Sequence, residues 1–134
     1  MLVKLSTDSI RTIATFEKIT KVTPKDCIIT ENCIYFLVDP TKIGLAIGKN
    51  GSVIKELRRI FGKPIKIFGY SSNPEELVRN LIPHLKSFDI SDGTITVTVQ
   101  PQDRMSVIGR NGSNIKVIRQ ILERHCHIKE FKLR

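Results

Sequence analysis

Two tetrapeptides carry the residues best suited to chemistry in this chain, Gly48-Lys49-Asn50-Gly51 and Gly109-Arg110-Asn111-Gly112. A glycine at each end permits backbone angles and close approaches that a Cβ would block. Apolar-periodic sequence follows directly, at Ser52-Val53-Ile54-Lys55 and Ser113-Asn114-Ile115-Lys116, so each tetrapeptide opens a helix. The free N–H groups and positive dipole end of that helix face the loop, a geometry suited to phosphate oxygens. Lys49 and Arg110 place one cation inside each loop. A single loop of this kind would pass for an ordinary corner between helices. Two with matched flanks argue for a common ligand.

Other chemistries fit the residues poorly. A P-loop needs G-x-x-x-x-G-K-[ST], whereas Gly44 and Gly48 are too close, Lys49 precedes Asn50, and Met105 stands where the second copy needs a glycine. Cys27, Cys33 and His125-Cys126-His127 contain no C-x-x-C pair, and on a strand the last three would point to alternating faces. No Ser/His/Asp or Cys/His arrangement emerges from the spacing. The expectation is therefore a binding protein with no catalytic residues, no metal, no cofactor and no small-molecule substrate.

Stepping outward, the loops belong to a repeat. Displaced by 61 residues, Ile47 to Lys55 falls on Ile108 to Lys116, Arg58 on Arg119 and Ile60 on Ile121. Pro40 falls on Pro101, and Ile34, Phe36, Val38 fall on Ile95, Val97, Val99. In the first copy Ser6 or Thr7 caps a helix with Ile10, Ile13, Ala14 and Ile19 on its apolar face. Strands are expected at 26–30 and 33–39, helices at 41–47 and 52–61, a stop at Gly62, and a strand at 64–68. In the second, Asn73-Pro74-Glu75-Glu76 starts a helix whose buried face is Leu77, Val78, Leu81, Ile82 and Leu85, with Pro83 shortening its last turn. Asp92-Gly93 marks a type I′ hairpin between strands 87–91 and 94–100. A helix–loop–helix at 102–124 and a strand at 127–133 follow. The order is α-β-β-α-α-β, twice, with a linker of only Gly69 to Asn73.

Composition narrows the partner. The chain has 134 residues, 22 Lys and Arg against 13 Asp and Glu, and a net charge of +9. That balance points to a polyanion. The cations concentrate around the loops: from Lys42 to Lys66 seven bases face only Glu56, and from Arg104 to Arg134 eight face only Glu123 and Glu130. Three cysteines and a polar N-terminus argue for a reducing, cytoplasmic setting. No stretch reaches the roughly 18 apolar residues of a membrane span.

A G-x-x-G loop between two helices of an α-β-β-α-α-β unit resembles the prokaryotic-type (type II) KH domain. The resemblance covers 6–133 and is carried by Ile47-Gly48-Lys49-Asn50-Gly51 and Ile108-Gly109-Arg110-Asn111-Gly112. It implies an α/β (α+β) fold of two consecutive type II KH domains, 1–69 and 70–134, each with a three-stranded sheet packed against helices. Two such domains with so short a linker resemble the archaeal NusA-like transcription factors. Bacterial NusA also carries an N-terminal polymerase-binding region and an S1-type barrel, for which 134 residues leave no room.

The implied function is single-stranded RNA binding in a transcription elongation or termination factor, with RNA polymerase or ribosomal components as protein partners and no membrane. The alternative is an assembly module whose KH folds bind no RNA. The groove implied by the resemblance lies between loop, flanking helices and strand edge. It would be lined by Ile47, Gly48, Lys49, Asn50, Gly51, Ser52, Lys55 and Arg59 in the first domain. Ile108, Gly109, Arg110, Asn111, Gly112, Ser113, Lys116 and Arg119 would line it in the second. Ser52, Lys55 and Arg59 share one helix face, and Gln120 replaces Arg59 in the second copy. Leu57, Ile60 and Phe61 are expected to turn toward the core. No aromatic residue lies in either loop, so each domain alone should bind modestly.

Overall fold

The computed structural model describes residues 7–134. Ser6, one of the two expected helix caps, lies outside the described residues. The described residues divide into two compact units, 7–70 and 71–134.

The first unit begins with α1 (Thr7–Thr20), followed by β1 (Asp26–Ile29) and β2 (Ile34–Val38). A one-turn helix (Pro40–Lys42) leads into α2 (Ile43–Ile47), and the loop leads into α3 (Ser52–Phe61) and β3 (Ile65–Gly69). The strand order is β1-β2-β3. β2 runs antiparallel to β1, with Cys27 opposite Phe36, and parallel to β3, with Ile34 opposite Ile65. As the central strand, all five residues of β2 are buried, Tyr35 and Leu37 as well as the alternating Ile34, Phe36 and Val38.

Aromatic packing holds this unit together. The Phe16 ring stacks on Phe36 at 4.0 Å, and Phe61 approaches Phe36 at 6.3 Å. Leu57, Ala46, Val22 and Ile65 complete the cluster. The expected α1 stripe shifts accordingly: Ile13, Phe16 and Ile19 face the core, while Ile10 is 56% exposed. A large ring reaches deeper than the aliphatic residues one turn away, so Phe16 sets the facing. Ile60 also departs from expectation, 43% exposed at the flank of α3.

The second unit repeats the order with α4 (Pro74–Leu81), β4 (Leu85–Ser91), β5 (Thr94–Val99), a one-turn helix (Pro101–Asp103), α5 (Arg104–Ile108), α6 (Ser113–Cys126) and β6 (Glu130–Leu133). β5 is central, antiparallel to β4 and parallel to β6. Asn73 caps α4 as its sequence demands: its Oδ1 accepts the N–H of Glu75 at 2.9 Å and of Glu76 at 3.5 Å. The helix ends before Pro83, and Leu85 opens β4 half-buried. Asp92 and Gly93 both take positive φ, 49° and 77°, as a type I′ turn requires. Along β5 the threonines are half-buried and Ile95, Val97 and Val99 are buried, a one-sided strand.

Helix α6 runs further than its spacing predicts. His125 and Cys126 lie on its last turn rather than on a strand, and His127 ends it in the left-handed region at φ 55°. No glycine stands at the Gly62 position of the repeat; Glu123 does, and the helix continues for about another turn. Among the described residues no helix is long and apolar enough to cross a membrane.

Candidate nucleic-acid interface

The two glycine loops share one backbone conformation. Gly48, Asn50 and Gly51 have φ/ψ of 77/169°, 56/28° and 73/17°. Gly109, Asn111 and Gly112 have 76/174°, 56/28° and 74/14°. Asparagine is among the few residues with a side chain that settle in the left-handed region. Each glycine has its own necessity. A Cβ on Gly48 would stand 2.5 Å from Val53 Cγ2 and 2.8 Å from Val53 N; one on Gly109 would stand 2.6 Å from Asn114 Cβ. The second glycines have room, with Ile54 Cγ2 at 3.7 Å from a Cβ on Gly51, and are required instead by their positive φ.

Both loops feed the N-terminus of a helix that has glycine as N-cap and receives no side-chain cap. The Ser52 and Ser113 N–H groups donate instead to the Lys49 and Arg110 carbonyls, and the positive end of each helix dipole faces the loop. Lys49 and Asn50, like Arg110 and Asn111, are exposed at the tips. Lys55, Lys116 and Ser52 are exposed beside them, and Ser113 is half-buried. Ile47 is 37% exposed, and Ile108 is half-buried. Ile54 packs against the core from the loop side.

The cations that the sequence counts together are sorted by the structure. Arg59 turns to Glu56, its Nε donating to Oε2 at 3.1 Å. This hydrogen-bonded pair holds the Glu56 carboxyl below its ordinary range and raises the guanidinium. The pair is exposed, so an incoming phosphate competes with it at little cost. Lys63 donates to the Thr30 carbonyl at 2.9 Å, and Lys66 lies over the Tyr35 ring at 5.7 Å. Arg119 reaches the edge strand β6, its Nη2 donating to the Phe131 carbonyl at 3.5 Å. Arg58 is its counterpart on α3 and is exposed. Helical position puts Arg58 on the Ile54 flank of α3 and Arg59 beyond it. Arg58, rather than the expected Arg59, is thus the counterpart of Arg119, as the 61-residue register of the repeat also places it.

Asn114 distinguishes the second loop. It is buried and donates through Nδ2 to the carbonyls of Val107 at 3.0 Å and Ser106 at 3.4 Å, closing the end of α5. Val53 does the corresponding job in the first copy by packing alone. Cys27 and Cys33 are buried, and burial pushes the Cys33 thiol up, so it stays protonated and unreactive. Among the described residues no three His, Cys, Asp or Glu side chains gather as a metal site.

The family model described as KH domain matches residues 10–82. The chain is 31% identical to the "Probable transcription termination protein NusA" of Methanocaldococcus jannaschii, over 98% of this chain and 75% of that protein. It is 32% identical to the protein of the same name from Methanococcus vannielii, over 99% and 80%. The Thermoplasma acidophilum protein of that name is 28% identical, over 91% and 89%. Among solved structures, the crystal structure of APE1850 superimposes with a TM-score of 0.79 at 33% identity, covering 97% of this chain and 100% of that one.

Proposed function

Since the chain belongs to the KH domain family, among its archaeal NusA-like members, we propose that it binds single-stranded RNA through both glycine loops and acts in transcription termination or elongation. The observation that carries this reading is the paired loop: one backbone geometry, twice, each with an exposed cation in front of a helix N-terminus lacking a side-chain cap. Phosphates would meet the positive end of each helix dipole together with the exposed loop cation, and would screen the +9 charge. The proposed domains are 1–69 and 70–134. The proposed contacts are Ile47 to Ser52 with Lys55, Arg58 and Arg59 in the first, and Ile108 to Ser113 with Lys116 and Arg119 in the second. The role is binding rather than catalysis, in the cytoplasm, with RNA polymerase or ribosomal components as protein partners.

The test must spare the glycines, since a Cβ at Gly48 or Gly109 collides with the next helix. Lys49→Asp with Asn50→Asp, and Arg110→Asp with Asn111→Asp, keep residues that tolerate the left-handed region and reverse the charge. Short unstructured RNA, single-stranded DNA and duplex are titrated across a salt series. Expected are a preference for single strands, a log–log salt slope of about −0.7 per phosphate, and a loss of about tenfold or more per altered loop at unchanged circular dichroism. Undiminished binding by the doubly altered chain would make the loops mere structural corners and direct the search to protein partners.

A further inference from the structure

In the second unit a cavity of about 300 Å³ lies between the later turns of α6, past the glycine loop, and the outer edge of β6, lined by Arg119, Glu123, Ile128, Lys129, Glu130 and Phe131. That volume sits at the lower end of ligand-holding clefts, suited to one small planar group. Its composition differs from that of the loops. Ile128 and Phe131 are buried and give it an apolar floor, while two carboxylates offset two cations around its rim. A phosphate gains little in a place of no net charge. A nucleobase, with an apolar face and a hydrogen-bonding edge, fits it better.

The acceptors decide which base. Glu130 lies 3.9 Å from the Lys132 ammonium, and Arg119 is held over the Phe131 carbonyl. The carboxylate of Glu123, exposed on the turn after Arg119, has no hydrogen bond or ion pair among the described residues. A carboxylate presents two acceptor oxygens side by side. Guanine alone among the four RNA bases presents two adjacent N–H donors, N1–H and the 2-amino group, while its O6 and N7 accept from a guanidinium. We propose that this cavity is a guanine-selecting pocket, with Glu123 reading the N1–H and 2-amino edge and Arg119 reading an acceptor of the same base.

The first unit has no such pocket chemistry. Strand pairing sets Ile65 where Phe131 stands, since Ile34 faces Ile65 and Ile95 faces Phe131. Going back along the chain, Pro64 and Lys63 take the places of Glu130 and Lys129, and the helix register puts Gly62 at Glu123. Arg58 remains without an acid beside it in that row. The first groove therefore takes any base, and the second sets the register of the RNA by holding a guanine.

This inference rests on the RNA-binding reading, and the experiment separates the two. Oligouridine of fixed length carrying a single central G, A, C or inosine is titrated against the wild type, Glu123→Gln and Glu123→Ala at constant salt. Expected is a preference of about tenfold for G over A, reduced when inosine removes the 2-amino group and abolished in both variants. Removing a negative charge near RNA strengthens binding to every oligomer alike, so the ratio between oligomers is the readout. A wild type that binds all four equally, or a Glu123→Gln variant that keeps the preference, overturns the pocket and leaves the loops standing. A wild type that binds none overturns both.

Discussion

The two units take the same corner and leave it differently. Their loops agree within about five degrees at every glycine, because close packing against residue 53 or 114 and the positive φ values leave little freedom. Beyond the loop they diverge. Helix α3 stops after 10 residues at Gly62, whereas α6 continues for 14 and stops at His127. Ile60 is 43% exposed, while its repeat partner Ile121 is 2% exposed. The first unit fills its core with stacked aromatic rings, the second with Leu77, Ile95, Ile118 and Leu122. Local backbone chemistry thus preserves the glycine corner, while the surroundings of the two corners are free to differ.

The largest effect separating the units should come from their cores. Phe16→Ala removes a fully buried ring stacked on Phe36 and should cost about 3–5 kcal/mol. Leu77→Ala, on the corresponding first helix of the second unit, should cost about 2–5 kcal/mol. Urea denaturation of each variant measures both. A loss at Phe16 well below about 3 kcal/mol would break the view that aromatic stacking dominates the first unit.

The helix ends sharpen the comparison with opposite signs. Gly62 has φ 68° and open space where a Cβ would stand, so Gly62→Ala carries backbone strain alone, about 1–2 kcal/mol. His127 already bears that strain at φ 55°, so His127→Gly should stabilise, by less than about 1 kcal/mol once the greater freedom of unfolded glycine is counted. Thermal unfolding checks the pair. A loss at His127 would mean that its ring, rather than its backbone, secures the end of α6.

The smallest effect is one of pH. The backbone N–H and hydroxyl of Thr41 donate to the Asp39 carboxylate and hold it below its ordinary range. Its contribution is complete above the unfolded carboxylate value near 4 and is lost as the pH falls through the depressed folded value. The second unit has Gln100 at that cap and makes no side-chain hydrogen bond there. Asp39→Asn should therefore lower the melting temperature slightly at pH 7 and flatten the acid limb of the profile below about pH 4, where the two chains converge. An unaltered acid limb would mean that the cap contributes nothing.

What could be read directly from the residues is what short-range chemistry controls. Glycine spacing, the Asn73-Pro74 helix start, the Asp92-Gly93 turn and the repeat register specified the α-β-β-α-α-β order of both units, because each acts within a few residues of itself. The mixed fold of two three-stranded sheets with helices followed from that order. Tertiary structure decided what depends on neighbours far along the chain. Phe16, not the isoleucines alone, sets the facing of α1 because Phe36 meets it from β2. Arg59 turns to Glu56 while Arg119 lies over the Phe131 carbonyl, because long side chains on one helix choose among partners that sequence spacing does not rank. The cavity beside β6 exists because α6 overruns the position where α3 stops, which brings Glu123 to the edge of a sheet whose last strand begins seven residues later.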